Sequence, residues 1–129
     1  MRDIKFRGMC ANGTMRYGRL SQDKENETLY YKEYSQRICW DNSNIPVSNK
    51  TLGQFTGLLD KNGKEIYEGD IFFAKMLGDS PIGHNVKVVY EAPYFDLEDK
   101  KGDRFWNFYG VARGEVIGNI YENPNLLNK

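Results

Sequence analysis

Glu65, Glu68 and Asp70 crowd three carboxylates into the stretch QFTGLLDKNGKEIYEGDIFF, residues 54–73. Carboxylates at such spacing are the usual ligands of a hard metal ion. A straight strand would put Glu68 and Asp70 on one face. Gly69 between them favours a turn instead, and Asp70 is suited to bonding neighbouring amides where a strand begins. Upstream, Asp60-Lys61-Asn62-Gly63-Lys64-Glu65 has the flavour of a calcium loop. Such a loop needs oxygen ligands at its first, third and fifth places, glycine at the sixth and glutamate at the twelfth. Counted from Asp60, the fourth place is Gly63, the fifth Lys64 and the twelfth Ile71. The segment reads as a turn. Asp96, Glu98, Asp99 and Asp103 form a second acidic group near Tyr94 and Trp106. Paired carboxylates in a cleft do acid–base work, but Lys100, Lys101 and Arg104 interleave with these, which suits a solvated hairpin tip. His84 is the single histidine. It lies in a polar loop, and nothing in the sequence sets Cys39 or a serine beside it. Cys10 and Cys39 match no metal or redox spacing and read as small buried hydrophobes. No phosphate-cradling glycine motif occurs. The sequence therefore assigns no catalytic residue, no metal ligand and no cofactor, and a metal-dependent hydrolase is the weakest of three functional readings.

One constellation does suggest binding. Lys5, Arg7, Arg16, Tyr17, Arg19, Tyr31, Arg37 and Trp40 mix cations with rings in the N-terminal third. Single-stranded nucleic acid is held by such mixtures, bases stacking on rings and phosphates meeting cations. Residues 1–20 carry Arg2, Lys5, Arg7, Arg16 and Arg19 against Asp3, a local charge of +4. The whole chain balances 18 basic against 18 acidic side chains, so it exerts no global pull on nucleic acid or an anionic membrane. Aromatic residues are also what strands are made of, and packing in a core or between subunits competes as their explanation.

The elements that must position these residues are strands. At 129 residues the chain is one domain in size. Its aromatic share of 14% supplies ample core. Ile4–Met9 and Met15–Leu20 alternate apolar and polar around Asn12-Gly13, the pattern of a β-hairpin. Residues 29–34 and 36–40 predict two more strands, and 41–49 reads as irregular and as a joint. Ser48 is placed to cap one helical turn over 49–52, ended by Gly53. Strands follow at 54–59, 64–67, 71–74, 86–90, 94–97, 105–109 and 115–121, with a loop at 77–85 and a short tail at 125–129. Ile71 to Ala74 is continuously apolar, as for a strand covered on both faces. Short strands with glycine turns and no helical periodicity predict an all-β fold, a barrel or packed sheets with minimal helix.

Thr56-Gly57-Leu58 and Asp60 to Ile71, the opening Ile4-Lys5-Phe6-Arg7, and Val116 to Pro124 followed by Leu126-Leu127 resemble the YopX family in three ordered blocks. These are small proteins found largely in temperate phages and prophages of Firmicutes and related bacteria. The resemblance spans nearly the whole chain. It implies a single domain over 1–129, with an N-terminal β unit at 1–48 and an SH3-like β-barrel at 49–129, assembled as a homo-oligomer. It brings no assigned activity, ligand or catalytic residue. Residues 21–48 and 77–85 match no part of the pattern, which makes them the place for lineage-specific binding. The expectation is a non-enzymatic accessory protein that contacts an unknown host or phage protein. Single-stranded nucleic-acid binding is the alternative. No apolar run reaches the roughly 20 residues of a membrane span, and MRDIKFRG lacks a signal-peptide core. The bacterial cytoplasm is the expected compartment.

Overall fold

The computed structural model describes residues 5–22, 36–40, 43–74, 84–91, 94–103 and 114–128. Among them are ten strands and two short 3-10 helices, and the strands form two antiparallel sheets. The fold is all-β, as composition and turn spacing predict. The chain divides into two compact units, Met1–Phe55 and Thr56–Lys129.

In the first unit β1 (Phe6–Met9), β2 (Met15–Gln22), β3 (Gln36–Trp40), β4 (Ser43–Val47) and the start of β5 (Gly53–Leu59) run in the order β4-β3-β2-β1-β5. The expected hairpin is present, with Arg7 opposite Tyr17 and Met9 opposite Met15. Strand β4 occupies a stretch that reads as irregular because of Asn44 and Pro46. It ends the strand order, where a residue without an N–H is tolerated. Asn49–Thr51 does form a 3-10 turn, but Ser48 does not cap it with its side chain. The Thr51 hydroxyl instead donates to the Ser48 carbonyl at 2.9 Å and accepts the Met9 amide at 2.9 Å. Gly53 does not stop the helix; it opens β5. The division between units falls inside β5, whereas the sequence reading sets the joint at 48/49. Residues 48–55 belong with the first unit because the Ser48 amide donates to Met9 O and the Phe55 amide to Lys5 O. One face of this sheet buries Ile38 and Val47 completely. Gly8 allows the close approach there, since a Cβ on it would lie 2.7 Å from Val47 Cγ2.

The second unit holds the rest of β5, then β6 (Glu65–Tyr67), β7 (Asp70–Ala74), β8 (His84–Glu91), β9 (Tyr94–Glu98) and β10 (Glu115–Asn119). Four of these make a sheet in the order β10-β7-β8-β9. Closure into an SH3-like barrel is not among the described pairings. His84 opens β8 rather than sitting in a loop, and Pro124–Asn128 is a 3-10 helix where a tail is expected. The core gathers Ile66, Phe72, Val86, Val88 and Leu97, with Leu58, Phe95 and Val116 packed against it. Ile71 and Phe72 point to opposite faces of β7 and are both fully buried, as the apolar run predicts. The expected strands 29–34 and 105–109, and most of the expected loop 77–85, lie outside the described residues.

Three turns share one build: Cys10 to Thr14, Asp60 to Lys64 and Asp99 to Asp103. In each, the first amide donates to the fifth carbonyl and the fourth amide to the first carbonyl. The fourth residue is Gly13, Gly63 or Gly102, with φ of 83°, 81° and 89°. Only glycine adopts that conformation without cost. In the second and third turns the leading aspartate accepts the third and fifth amides through Oδ1 at 2.8–2.9 Å. The first turn begins with Cys10, and Asn12 takes over: its Oδ1 accepts the Thr14 amide at 3.0 Å and the Cys10 thiol at 2.7 Å.

Candidate functional site

Pairing register sorts the cationic residues of the first unit. Arg7 faces Tyr17 across β1 and β2, Arg19 faces Cys39 across β2 and β3, and Ser21 faces Arg37. Side chains alternate along a strand, so Arg7, Tyr17, Arg19 and Arg37 share one face. Gly8, Arg16, Leu20, Ile38 and Val47 belong to the other. Tyr17 is 47% exposed and Arg19 is exposed. Arg37 and Cys39 are half-buried between them and β4. Arg7 is only 3% exposed, so it underlies the face and does not reach a phosphate. Lys5 lies at the margin, its Nζ 5.8 Å from the centroid of the buried Phe55 ring, a cation–π distance. Arg16 belongs to the opposite side. Trp40 ends β3 opposite Ser43, with its side chain outside the description, and Tyr31 lies outside the described residues. The structure therefore groups Tyr17, Arg19 and Arg37 at a surface, buries Arg7 beneath it and separates Arg16.

Charge follows the same division. Over the full sequence, residues 1–55 hold nine basic and six acidic side chains, net +3. Residues 56–129 hold nine and twelve, net −3. The neutral total hides a basic unit and an acidic one.

Several carboxylates of the second unit have structural partners, although Asp96 Oδ2 is buried with none among the described residues. Asp60 is 6% exposed. Besides its own turn it accepts the Val116 amide through Oδ2 at 2.9 Å, tying that turn to β10. Burial alone would raise its pKa. The amides of Val116, Lys64 and Asn62, with the charge of Lys64, outweigh burial and hold it below the usual value. Asp70 is buried and its Oδ2 accepts the Tyr67 amide at 2.7 Å. Glu65 accepts the Tyr67 hydroxyl at 3.3 Å. Glu98 pairs with Lys87 at 3.1 Å, Asp99 organises its turn, and Asp96 is buried with Oδ1 on the Leu97 amide. Among the described residues no group of three or more histidine, cysteine or acidic side chains could hold a metal ion. Both cysteines are free and half-buried. Burial raises the pKa of the Cys10 thiol, but Arg16 and the amides of Asn12 and Thr14 bring it below its ordinary value.

The residues behind the family resemblance meet each other here. Asp70 lies opposite Asn119. The Ile120 amide donates to Gly69 O at 2.9 Å, and the Gly69 amide to Val88 O at 2.8 Å. Gly69 has φ 91°, and a Cβ on it would come 3.0 Å from the Tyr121 ring. Asn119 Oδ1 accepts the amides of Tyr121 and Glu122, while Asn123 Oδ1 accepts the Asn119 amide. The sequence reading missed these two asparagines. Their signal is the spacing Asn-Ile-Tyr-Glu-Asn-Pro, which places amides within reach of side-chain carbonyls.

Fold and site together define a small all-β protein built on antiparallel hairpins. A family model described as YopX protein matches residues 5–128, and the chain belongs to the YopX family. Two crystal structures are similar to it. Protein EF1440 from Enterococcus faecalis aligns with a TM-score of 0.59 at 23% identity, covering 98% of this chain and 99% of that one. Protein yopX from Bacillus subtilis aligns with a TM-score of 0.57 at 20% identity, with the same coverage. At such identities the likeness is one of fold. No curated protein matches. No helix among the described residues is long and apolar enough to cross a membrane.

Proposed function

We propose that the protein is a non-enzymatic binding module of phage or prophage origin, acting in the cytoplasm through protein–protein contacts. Its working surface is the face bearing Tyr17, Arg19 and Arg37, and its partner presents an acidic patch. The observation that carries this reading is the grouping of an exposed ring with two arginines on one sheet face, in a unit of net charge +3 over its full sequence. Tyrosine and arginine are the side chains most enriched at protein interfaces, where few residues carry most of the energy. Capture from a nuclease-treated bacterial lysate tests it. The wild-type chain is expected to retain a partner that the Arg19→Glu/Arg37→Glu variant loses. Equal capture by both would refute the assignment of the face.

The same face supports a second reading, single-stranded nucleic acid. Burial of Arg7 and placement of Arg16 on the other side shorten the cationic track, which favours the protein partner. Fluorescence anisotropy with labelled oligonucleotides separates the two. Binding that weakens steeply with salt would favour the second reading. A homo-oligomer fits either one, and light scattering at high concentration measures it.

A further inference from the structure

Two asparagine–glycine pairs occupy the same two places of the same turn, Asn12-Gly13 and Asn62-Gly63, and all four residues are exposed. Such pairs are where the main chain attacks a side chain. The glycine nitrogen adds to the asparagine Cγ and ammonia leaves. The five-membered succinimide that results takes up water at either carbonyl, giving aspartate or isoaspartate. Only water is consumed and only ammonia released. Glycine permits the approach because it carries no side chain to obstruct it. Both glycine amides donate to the first carbonyl of the turn, at 2.9 Å for Gly13 and 3.0 Å for Gly63, so that restraint is equal in the two turns.

The side chains are not equally restrained. Asn12 Oδ1 is held by the Thr14 amide at 3.0 Å and the Cys10 thiol at 2.7 Å. Both bonds must break before its Cγ can swing onto Gly13 N. In the second turn Asp60 already takes the amides of Asn62 and Lys64, and no donor among the described residues holds the Asn62 carbonyl. Among the described residues the Asn62 side chain is held only by its Nδ2, which donates to Glu115 Oε2 at a long 3.3 Å.

We infer that Asn62-Gly63 is a built-in modification site that deamidates spontaneously and thereby loosens the β5–β6 turn from β10, while Asn12 in the matching turn is protected. A carboxylate at position 62 no longer donates to Glu115 and adds like charge beside Asp60 and Glu115. Isoaspartate also lengthens the backbone inside the turn, drawing the Lys64 amide away from Asp60 Oδ1. The Asp60 bond to the Val116 amide then loses its geometry.

Peptide mapping of the intact chain, aged in neutral buffer, tests this, using electron-based fragmentation to tell isoaspartate from aspartate. Asn62 is expected to convert first, with Asn12 about tenfold or more slower, as two hydrogen bonds must break. In denaturant the two rates are expected to converge. The Val116 amide of the aged protein is expected to exchange hydrogen faster than in fresh protein. Cys10→Asp provides the complementary test, because an aspartate there takes the turn amides as Asp60 does and releases Asn12. Its Asn12 is expected to approach the rate of Asn62. Equal native rates, a faster Asn12, or an Asn62 that converts only when unfolded would each overturn the inference.

Discussion

At the scale of single residues, the Asp60 side chain ties its own turn to β10. It lies at the family-typical stretch, and the sequence reading weighs it only as the head of a calcium loop. Its two oxygens accept three amides from two separate elements. Asp60→Ala leaves those donors stranded and is expected to cost about 2–4 kcal/mol of stability in chemical denaturation. Asp60→Asn is expected to lose less, because one carbonyl oxygen survives while the new amide faces the Val116 donor. The carboxyl is held below its ordinary value, so the unfolded chain binds its proton more readily than the folded one. The stabilisation is fully present above the unfolded value of about 3.9 and fades as the pH falls through the lower folded value. Denaturation curves collected down through the acid range are expected to show this loss in the wild type and a flatter profile in Asp60→Asn. Identical profiles would remove the assigned role.

At the scale of elements, the three matched turns make comparison possible within one molecule. Two begin with aspartate and one with cysteine, and the cysteine turn borrows Asn12 to satisfy its fifth amide. Cys10→Asp is expected to stabilise the protein by about 1 kcal/mol, because a carboxylate oxygen is a stronger acceptor for the turn amides than a sulfur. A thermal melt that falls instead would show that the thiol contributes something the carboxylate lacks. Gly69→Ala is expected to destabilise by about 1–3 kcal/mol, since φ of 91° strains any side chain. Tyr121 crowds the added methyl as well.

These elements also show how far the sequence could be read. The hairpin around Gly13, the turn at Gly63 and the buried run Ile71-Phe72 follow from local rules, because glycine and alternation act within a few residues. Strand β4 does not: Pro46 looks like a breaker until the topology places it at the end of the strand order. Ser48 looks like a cap until Thr51 proves better placed, through a bond to Met9 far away in sequence. The candidate face was legible in its residue types but not in its membership. Only the folded structure shows that Arg7 is buried, and only the register shows that Arg16 belongs to the other side.

At the scale of the whole molecule, formal neutrality conceals a basic unit and an acidic one. That division matters for recognition, because the charge met by a partner is the charge of the surface it approaches. The proposed recognition surface is the face of β2 and β3 in the basic unit. Hydrogen–deuterium exchange of the chain, free and bound to a captured partner, tests that placement directly. Slowed exchange is expected over Tyr17 to Arg19 and Arg37 to Cys39. Protection confined to the second unit, with β2 and β3 unchanged, would contradict it.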